Sequence, residues 1–250
     1  LSRGASPLEI FMELLGKRDG LSKGKGGSMH MFDPKNNFWG GHGIVGAQVP
    51  IGVGLAFNFK YKENKNLSVT FFGDGAANQG QVYESYNMAS LWKLPVIFCI
   101  ENNQYGMGTK VDRAVGLKDF SGRAKSFGLN TVHITTLDVE EAYFKAKPII
   151  EDARNGKPGF IEIECYRFYG HARMDKSLYR EEKEEKKGRK EDPITFAKNK
   201  LINNKLLTIQ QIYQLDLVIS NEMDKAMNFA IKSPLNSNRE IFKDVFDNDK

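Results

Sequence analysis

Cysteine is nearly missing from this chain. The only two, Cys99 and Cys165, each sit in an apolar run that reads as a strand (VIFCI and FIEIECY). Two thiols cannot build a disulfide framework, and they give no support to a cysteine metal site. Buried free thiols in a reducing compartment are expected. No apolar run is long enough to cross a bilayer and no secretory signal is read, so no membrane role is expected. A basic stripe interleaved with aromatics is also lacking. The net charge of +5 is spread among interspersed lysines and acids, so no nucleic-acid partner is expected. There is no internal repeat. The first residues, LSRGASPLEIF, include no methionine, and an N-terminally truncated chain is the expectation.

What is present suits a globular protein. With 250 residues, 40% hydrophobic and 27% charged, the chain is long enough for a sizeable core without covalent staples. A single domain over 1–250 is expected. SPLEIFMELL (6–15) reads as a short helix, with Ser6 as cap and Pro7 in the first turn. A glycine-dense stretch follows at 16–46, longer than a compact domain usually tolerates without a functional reason. AQVPIGVGLAFNFKYKEN fits an amphipathic helix. LSVTFF (67–72), PVIFCI (95–100), NTVHITT and GFIEIECYRF read as strands. QGQVYESYNMASLWKL reads as a helix between the first two. DVEEAYFKAKPIIEDARNG reads as another, capped by Asp138 and stopped by Gly156. Alternating strands and helices predict an α/β fold, a mostly parallel sheet with helices on both faces. The charge block at 180–192 is expected to be a solvated helix or loop. Residues 193–250 read as a helical C-terminal region fading to a polar tail.

The chemistry concentrates where the first two strands end. Residues 71–80 read FFGDGAANQG, which places Asp74 at the carboxyl end of a strand, where ligands of such sheets gather. Flanking glycines allow unusual backbone angles and close approach of a bulky ligand. The amides that open the following helix can face an anion. The second strand ends in ENNQYGMGT, so Asn102 and Asn103 emerge at the same edge. A carboxylate, an amide oxygen and a main-chain carbonyl just beyond suit one face of a Mg²⁺ ion, with a diphosphate filling further positions. Alone, GDG is a turn and NN is a loop. Joined through residues 76–101 they are far more specific.

GDG and NN at this spacing resemble the thiamine-diphosphate-binding motif. SKGKGGSMHMFD, GGHGIVGAQVP, FFGDGAANQGQVYESYNMASLWKLPVIF, ENNQYGMGT, YRFYGH and DPI extend the likeness over nearly the whole chain. In that order they resemble the α subunit of the decarboxylating component of 2-oxo acid dehydrogenase complexes, closest to the pyruvate-specific branch. The resemblance implies thiamine diphosphate and Mg²⁺ as cofactors, with Asp74, Asn103 and the Tyr105 carbonyl on the metal. It implies Gly75 and Ala76 against the diphosphate, Gly43 and Val45 offering backbone groups to the aminopyrimidine, and Arg167 on the diphosphate. His171 would stand near the reacting centre, also touching cofactor, as a catalytic proton carrier or oxyanion stabiliser. His30 and His42 are expected to be structural, and His133 a strand residue without a role. The implied reaction is oxidative decarboxylation of pyruvate, followed by reductive acetylation of a lipoyl group. Implied partners are a β subunit, in an α₂β₂ assembly, and a lipoyl-bearing dihydrolipoyl acyltransferase. The location would be the bacterial cytoplasm, or the mitochondrial matrix in a eukaryote.

The sequence also departs from the family pattern. A Tyr-Arg pair and a histidine that relatives carry further upstream have no counterpart here. After His171 the chain reads Ala172-Arg173-Met174-Asp175-Lys176 where relatives often have Ser-Met-Ser-Asp-Pro. Ala172 therefore replaces the serine that kinases modify in mitochondrial members, which favours a bacterial source. Acetoin or a branched 2-oxo acid as substrate, and a non-catalytic cofactor-binding or structural subunit, stay open as alternatives.

Overall fold

A computed structural model describes residues 1–243. The last residues of the expected polar tail, 244–250, lie outside them. The single domain expected over 1–250 divides into two compact units: residues 1–43 with 205–250, and residues 44–204.

The first unit joins helix α1 (Pro7–Leu14) to the long C-terminal helix, here α9 (Ile209–Lys232). Both start with a capping box, Ser6 with Glu9 and Thr208 with Gln211, which satisfies free amides of the first turn. Lys17 ties the two ends of the chain by donating its Nζ to the carbonyls of Ile231 (2.9 Å) and Ser233 (2.8 Å). The glycine-dense stretch belongs here, and a buried carboxylate organises it. Glu13 is 0% exposed. Its oxygens accept the N–H groups of Ser22 (2.7 Å), Gly24 (2.8 Å), Gly26 (2.7 Å) and Gly27 (3.1 Å). Gly24 sits at φ +67°, and a Cβ on it would lie 2.5 Å from the Lys17 carbonyl oxygen, so only glycine fits. Apart from a single 3₁₀ turn at Pro34–Asn36, the stretch thus holds its shape without helix or strand.

The second unit carries the sheet. Its elements are α2 (Gln48–Tyr61), β1 (Ser68–Gly73), α3 (Gly80–Leu91), β2 (Val96–Asn102), a small hairpin of β3 (Tyr105–Gly106) and β4 (Thr109–Lys110), α4 (Val111–Ala114), α5 (Phe120–Ser126), β5 (Asn130–Ile134), α6 (Val139–Arg154), β6 (Gly159–Glu164), α7 (Glu182–Lys190) and α8 (Pro193–Asn203). The four main strands are all parallel, in the order β1-β2-β6-β5. Val96 to Ile100 in β2 are buried throughout, as a parallel strand covered on both faces requires. On one face, α2, α3 and α5 pack Val49, Val53, Val82, Tyr86 and Phe120 against Phe72, Phe98, Ile100 and Phe160. On the other face, Ile149 and Ala153 of α6 cover Ile97, Cys99, Ile134 and Ile161. Helices therefore lie on both faces, as predicted. Asp138 caps α6 as predicted, and Gly156 follows it at φ +80°. The charge block forms a helix, α7.

Two expectations need correction. α2 is not amphipathic. Val49, Val53 and Ala56 are buried, yet Ile51 and Phe57 face outward, so apolar residues surround the helix. Cys165 is not a buried strand residue, because β6 stops at Glu164 and Cys165 lies exposed beyond it.

Glu13→Ala would leave four loop amides without the acceptor that now holds them. We expect a loss of roughly 3 kcal/mol or more in unfolding free energy, measured by urea denaturation. A loss under about 0.5 kcal/mol would contradict this role.

A candidate cofactor site at the carboxyl edge of the sheet

Strands β1 and β2 end side by side, with Gly73 paired to Glu101. Asp74 follows at once and is 1% exposed. Its Oδ1 accepts the Asn103 N–H at 3.2 Å, and its Oδ2 has no hydrogen-bond partner among the described residues. Burial pushes the carboxyl above its ordinary 3.8, and the Asn103 amide and the Arg167 guanidinium pull it only partly back. An orphaned buried carboxylate oxygen calls for a cation.

The neighbouring groups supply the rest of a hard oxygen set. The Asn103 Oδ1 accepts the Tyr105 N–H at 3.3 Å, which holds the amide oxygen beside the turn. Gln104 (φ +69°) and Met107 (φ +54°) are non-glycine residues in the left-handed region, and they bracket the Tyr105 carbonyl. The second glycine of GDG has a steric cause. A Cβ on Gly75 would stand 2.8 Å from the Gly106 Cα, so the two backbones touch. Neither Gly73 nor Gly75 has a positive φ, so the unusual backbone angles expected of them are not the reason for either. A Cβ on Gly73 would meet nothing within 4 Å. Ala76 is buried, in a single 3₁₀ turn (Ala76–Asn78) just before α3.

Arg167, beyond the end of β6, reaches the same edge. Its Nη1 donates to the Tyr105 carbonyl (3.4 Å), and its Nη2 to the Met107 carbonyl and the Tyr179 hydroxyl (2.8 Å each). Asp175 organises the following segment. It accepts the Tyr179 hydroxyl (2.7 Å), the His171 N–H (2.7 Å) and the Ser177 N–H (2.9 Å). Those bonds, Tyr179 first, hold its carboxyl down at about 2, so it stays ionised through the physiological range. The His171 side chain is exposed. Arg180 is buried, 5.0 Å from the Tyr105 ring centre and 5.1 Å from that of Tyr166, and its Nη1 donates to the Arg167 carbonyl at 2.6 Å.

The structure thus gathers Asp74, Gly75, Ala76, Asn103, Tyr105 and Arg167 at one edge, with His171 on the segment behind Arg167. Val45 is the second residue of the same unit, and its carbonyl accepts the Gln81 side chain at 2.9 Å. Gly43 ends the first stretch of the other unit, where a Cβ on it would lie 3.2 Å from the His30 imidazole. His42 meets Phe32 edge-on at 5.9 Å. His133 stands in β5, 2.9 Å from Glu164. Sequence reading missed Asp175 and Tyr179, which brace Arg167, and Glu162, which is buried in β6. A visible signal existed for Glu162: an acid inside an otherwise apolar strand. Among the described residues no cluster of three His, Cys, Asp or Glu side chains is placed to hold a metal. A cation here would rest on one carboxylate, one amide and one main-chain carbonyl, a set that suits Mg²⁺ completed by phosphate oxygens.

A parallel sheet between helices, with this acid and amide on adjoining strand tips, defines an α/β protein with a cation-ready edge. The chain belongs to the dehydrogenase E1 component family, which matches residues 1–238. It is similar to proteins named pyruvate dehydrogenase E1 component subunit alpha. That of Rickettsia felis is 43% identical over 244 residues, 97% of this chain and 75% of the relative. That of Rhizobium meliloti is 46% identical over 247 residues, 98% of this chain and 71% of the relative. The mitochondrial protein of Dictyostelium discoideum is 46% identical over 250 residues, 98% of this chain and 65% of the relative.

Asp74 yields a prediction with a definite sign. A carboxyl whose folded pKa is raised opposes folding once it ionises. Its penalty is absent below the ordinary carboxylate range and grows as pH rises through the raised value. Without metal or cofactor, Asp74→Asn should therefore gain stability over the parent between about pH 4 and pH 7, read as the difference in urea midpoints. With Mg²⁺ and thiamine diphosphate present the order should reverse. A variant that is less stable than the parent at neutral pH without ligands would contradict the burial argument.

Proposed function

We propose that this chain is the α subunit of a pyruvate-decarboxylating E1 component, acting with thiamine diphosphate and Mg²⁺. The observation that carries the reading is the buried, unpartnered Asp74 oxygen beside Asn103 and the Tyr105 carbonyl. In this reading those three groups hold Mg²⁺. Gly75 and Ala76 lie against the diphosphate, where the lack of a side chain at Gly75 lets backbone approach. Gly43 and Val45 present backbone groups to the aminopyrimidine. When bound, thiamine diphosphate supplies the electron sink for breaking the bond between the 2-oxo carbon and its carboxylate. Arg167 donates to the Tyr105 carbonyl. With cofactor and metal bound it would yield that oxygen to the metal and turn its charge to the diphosphate. His171, on a segment braced by Asp175, holds or delivers a proton at the substrate oxygen.

The two-carbon unit left by decarboxylation, at the aldehyde level, is oxidised to an acetyl thioester as the disulfide of a lipoyl group on a dihydrolipoyl acyltransferase is reduced, one sulfur taking the acetyl group and the other a proton. The relatives' names, each a subunit alpha of an E1 component, support a further subunit, and the reading takes it as a β partner in an α₂β₂ assembly. Pyruvate is favoured over acetoin or branched 2-oxo acids by the relatives' names. Bacterial and mitochondrial relatives support the bacterial cytoplasm or the mitochondrial matrix as the location. No helix among the described residues is long and apolar enough to cross a membrane.

The test is reconstitution with a β subunit, with pyruvate, 2-oxoisovalerate and acetoin assayed side by side. We expect pyruvate to be turned over fastest, only with both subunits, and Asp74→Ala to lower the rate by at least about 100-fold. Preference for another substrate would overturn the assignment to pyruvate. Absence of turnover for all three would favour a non-catalytic subunit.

A further inference from the structure

The metal reading leaves one buried charge without a role. Glu162 lies in the middle of the sheet and is 3% exposed. Its Oε1 accepts the Asn102 Nδ2 at 2.8 Å. Its Oε2 accepts the Ser121 N–H at 3.2 Å and the Ser121 hydroxyl at 2.8 Å. His133 Nε2 stands 3.8 Å from Oε1 but is nearer to Glu164. A buried carboxylate is costly even when bonded, and an apolar residue of similar size would often serve the fold as well.

What the carboxylate adds is direction. An ionised carboxylate only accepts, so Asn102 must turn its NH₂ toward Glu162. That leaves the Asn102 Oδ1 facing outward, where it accepts the Gln104 Nε2 at 2.7 Å. The Asn102 carbonyl also accepts the Cys165 N–H at 3.1 Å. Glu162, Asn102 and Gln104 therefore form a relay with fixed polarity. It runs from the sheet interior to the turn that carries Asn103 and the Tyr105 carbonyl. Asn103 lies between the two relayed amides, and its N–H is the one bonded to Asp74.

We propose that Glu162 is a positioning residue of the metal site, fixing the 102–105 turn through Asn102 and Gln104. The inference rests on the reading of Asp74, Asn103 and Tyr105 as Mg²⁺ ligands. Glu162→Gln keeps the shape but loses the polarity. Toward Ser121 its NH₂ meets the Ser121 N–H; toward Asn102 it is accommodated only if the Asn102 and Gln104 amides both turn over, which reverses the relay through the 102–105 turn.

The full chain, reconstituted with its β subunit, is titrated with Mg²⁺ at fixed thiamine diphosphate, following tryptophan fluorescence. Thermal unfolding without ligands is recorded alongside. Glu162→Gln should raise the half-saturating Mg²⁺ by about 10–100-fold, as loss of a group that orients metal ligands does. Ser121→Ala cuts the other arm of Glu162 and should lower thermal stability while leaving half-saturation in place. The double variant Glu162→Gln with Asn102→Asp restores one acceptor against one donor and should recover most of the Mg²⁺ response. Asn102→Asp alone sets two carboxylates together and should not. Gln104→Ala, at the exposed end of the relay, should fold normally and show a smaller rise. A Glu162→Gln protein that folds with unchanged half-saturation would overturn the proposal. So would equal shifts for Glu162→Gln and Ser121→Ala. If Glu162→Gln fails to fold, unchanged Mg²⁺ response in Gln104→Ala would do the same. Asp74→Asn separates the two claims: if it too leaves the Mg²⁺ response intact, the metal reading itself fails.

Discussion

A carboxylate held out of water with half of its hydrogen-bonding capacity unused is the constraint on which the rest of this site depends. Asp74 gives one oxygen to the Asn103 amide and keeps the other free among the described residues. A protein does not bury such a group for stability, because an unpaired buried oxygen opposes folding. A cation bound as proposed would make it favourable, by linking β1, which delivers Asp74, to the turn after β2, which delivers Asn103 and the Tyr105 carbonyl.

Everything around this edge keeps those few atoms in register. Parallel pairing of β1, β2 and β6 brings three strand ends together. Gly75 and Gly106 meet backbone to backbone, so the turn after β2 lies directly on the loop after β1. Arg167 brings positive charge from the third strand end, braced by Tyr179 and through it by Asp175. Among the polar groups buried in the sheet, Glu162 and Asn102 are bonded to each other and lead toward this edge. In the other unit a similar device recurs. Buried Glu13 shapes the glycine-dense stretch through backbone amides, where a strand or helix would have used the ladder of its own bonds.

Much of this was legible in the residues because it is local. The strands announce themselves as short runs of valine, isoleucine and phenylalanine. Ser6 and Asp138 mark helix starts through bonds that reach two or three residues, and Pro7 marks one by its fixed φ. Asp74 and Asn103 follow strands directly, so a parallel sheet must place them at one edge. What escaped is what acts at a distance. Glu13 bonds amides 9 to 14 residues away, a pattern with no period. Ser121 and Asn102 reach Glu162 across 41 and 60 residues. Tyr179 meets Arg167 because the segment between them folds back around Asp175, and no spacing rule encodes that. α2 was misjudged because its apolar residues surround the helix, and periodicity cannot say which face the sheet takes. Cys165 was misjudged because an apolar run does not reveal where the last ladder bond falls.

The most direct test is to locate the cation. Crystals of the α and β subunits together, grown with thiamine diphosphate and Mn²⁺ in place of Mg²⁺, would show the metal by its anomalous scattering. The account requires one peak within coordination distance of an Asp74 carboxylate oxygen, the Asn103 Oδ1 and the Tyr105 carbonyl, with Arg167 withdrawn from that carbonyl. A metal bound elsewhere, or cofactor bound with the second Asp74 oxygen still unliganded, would contradict it.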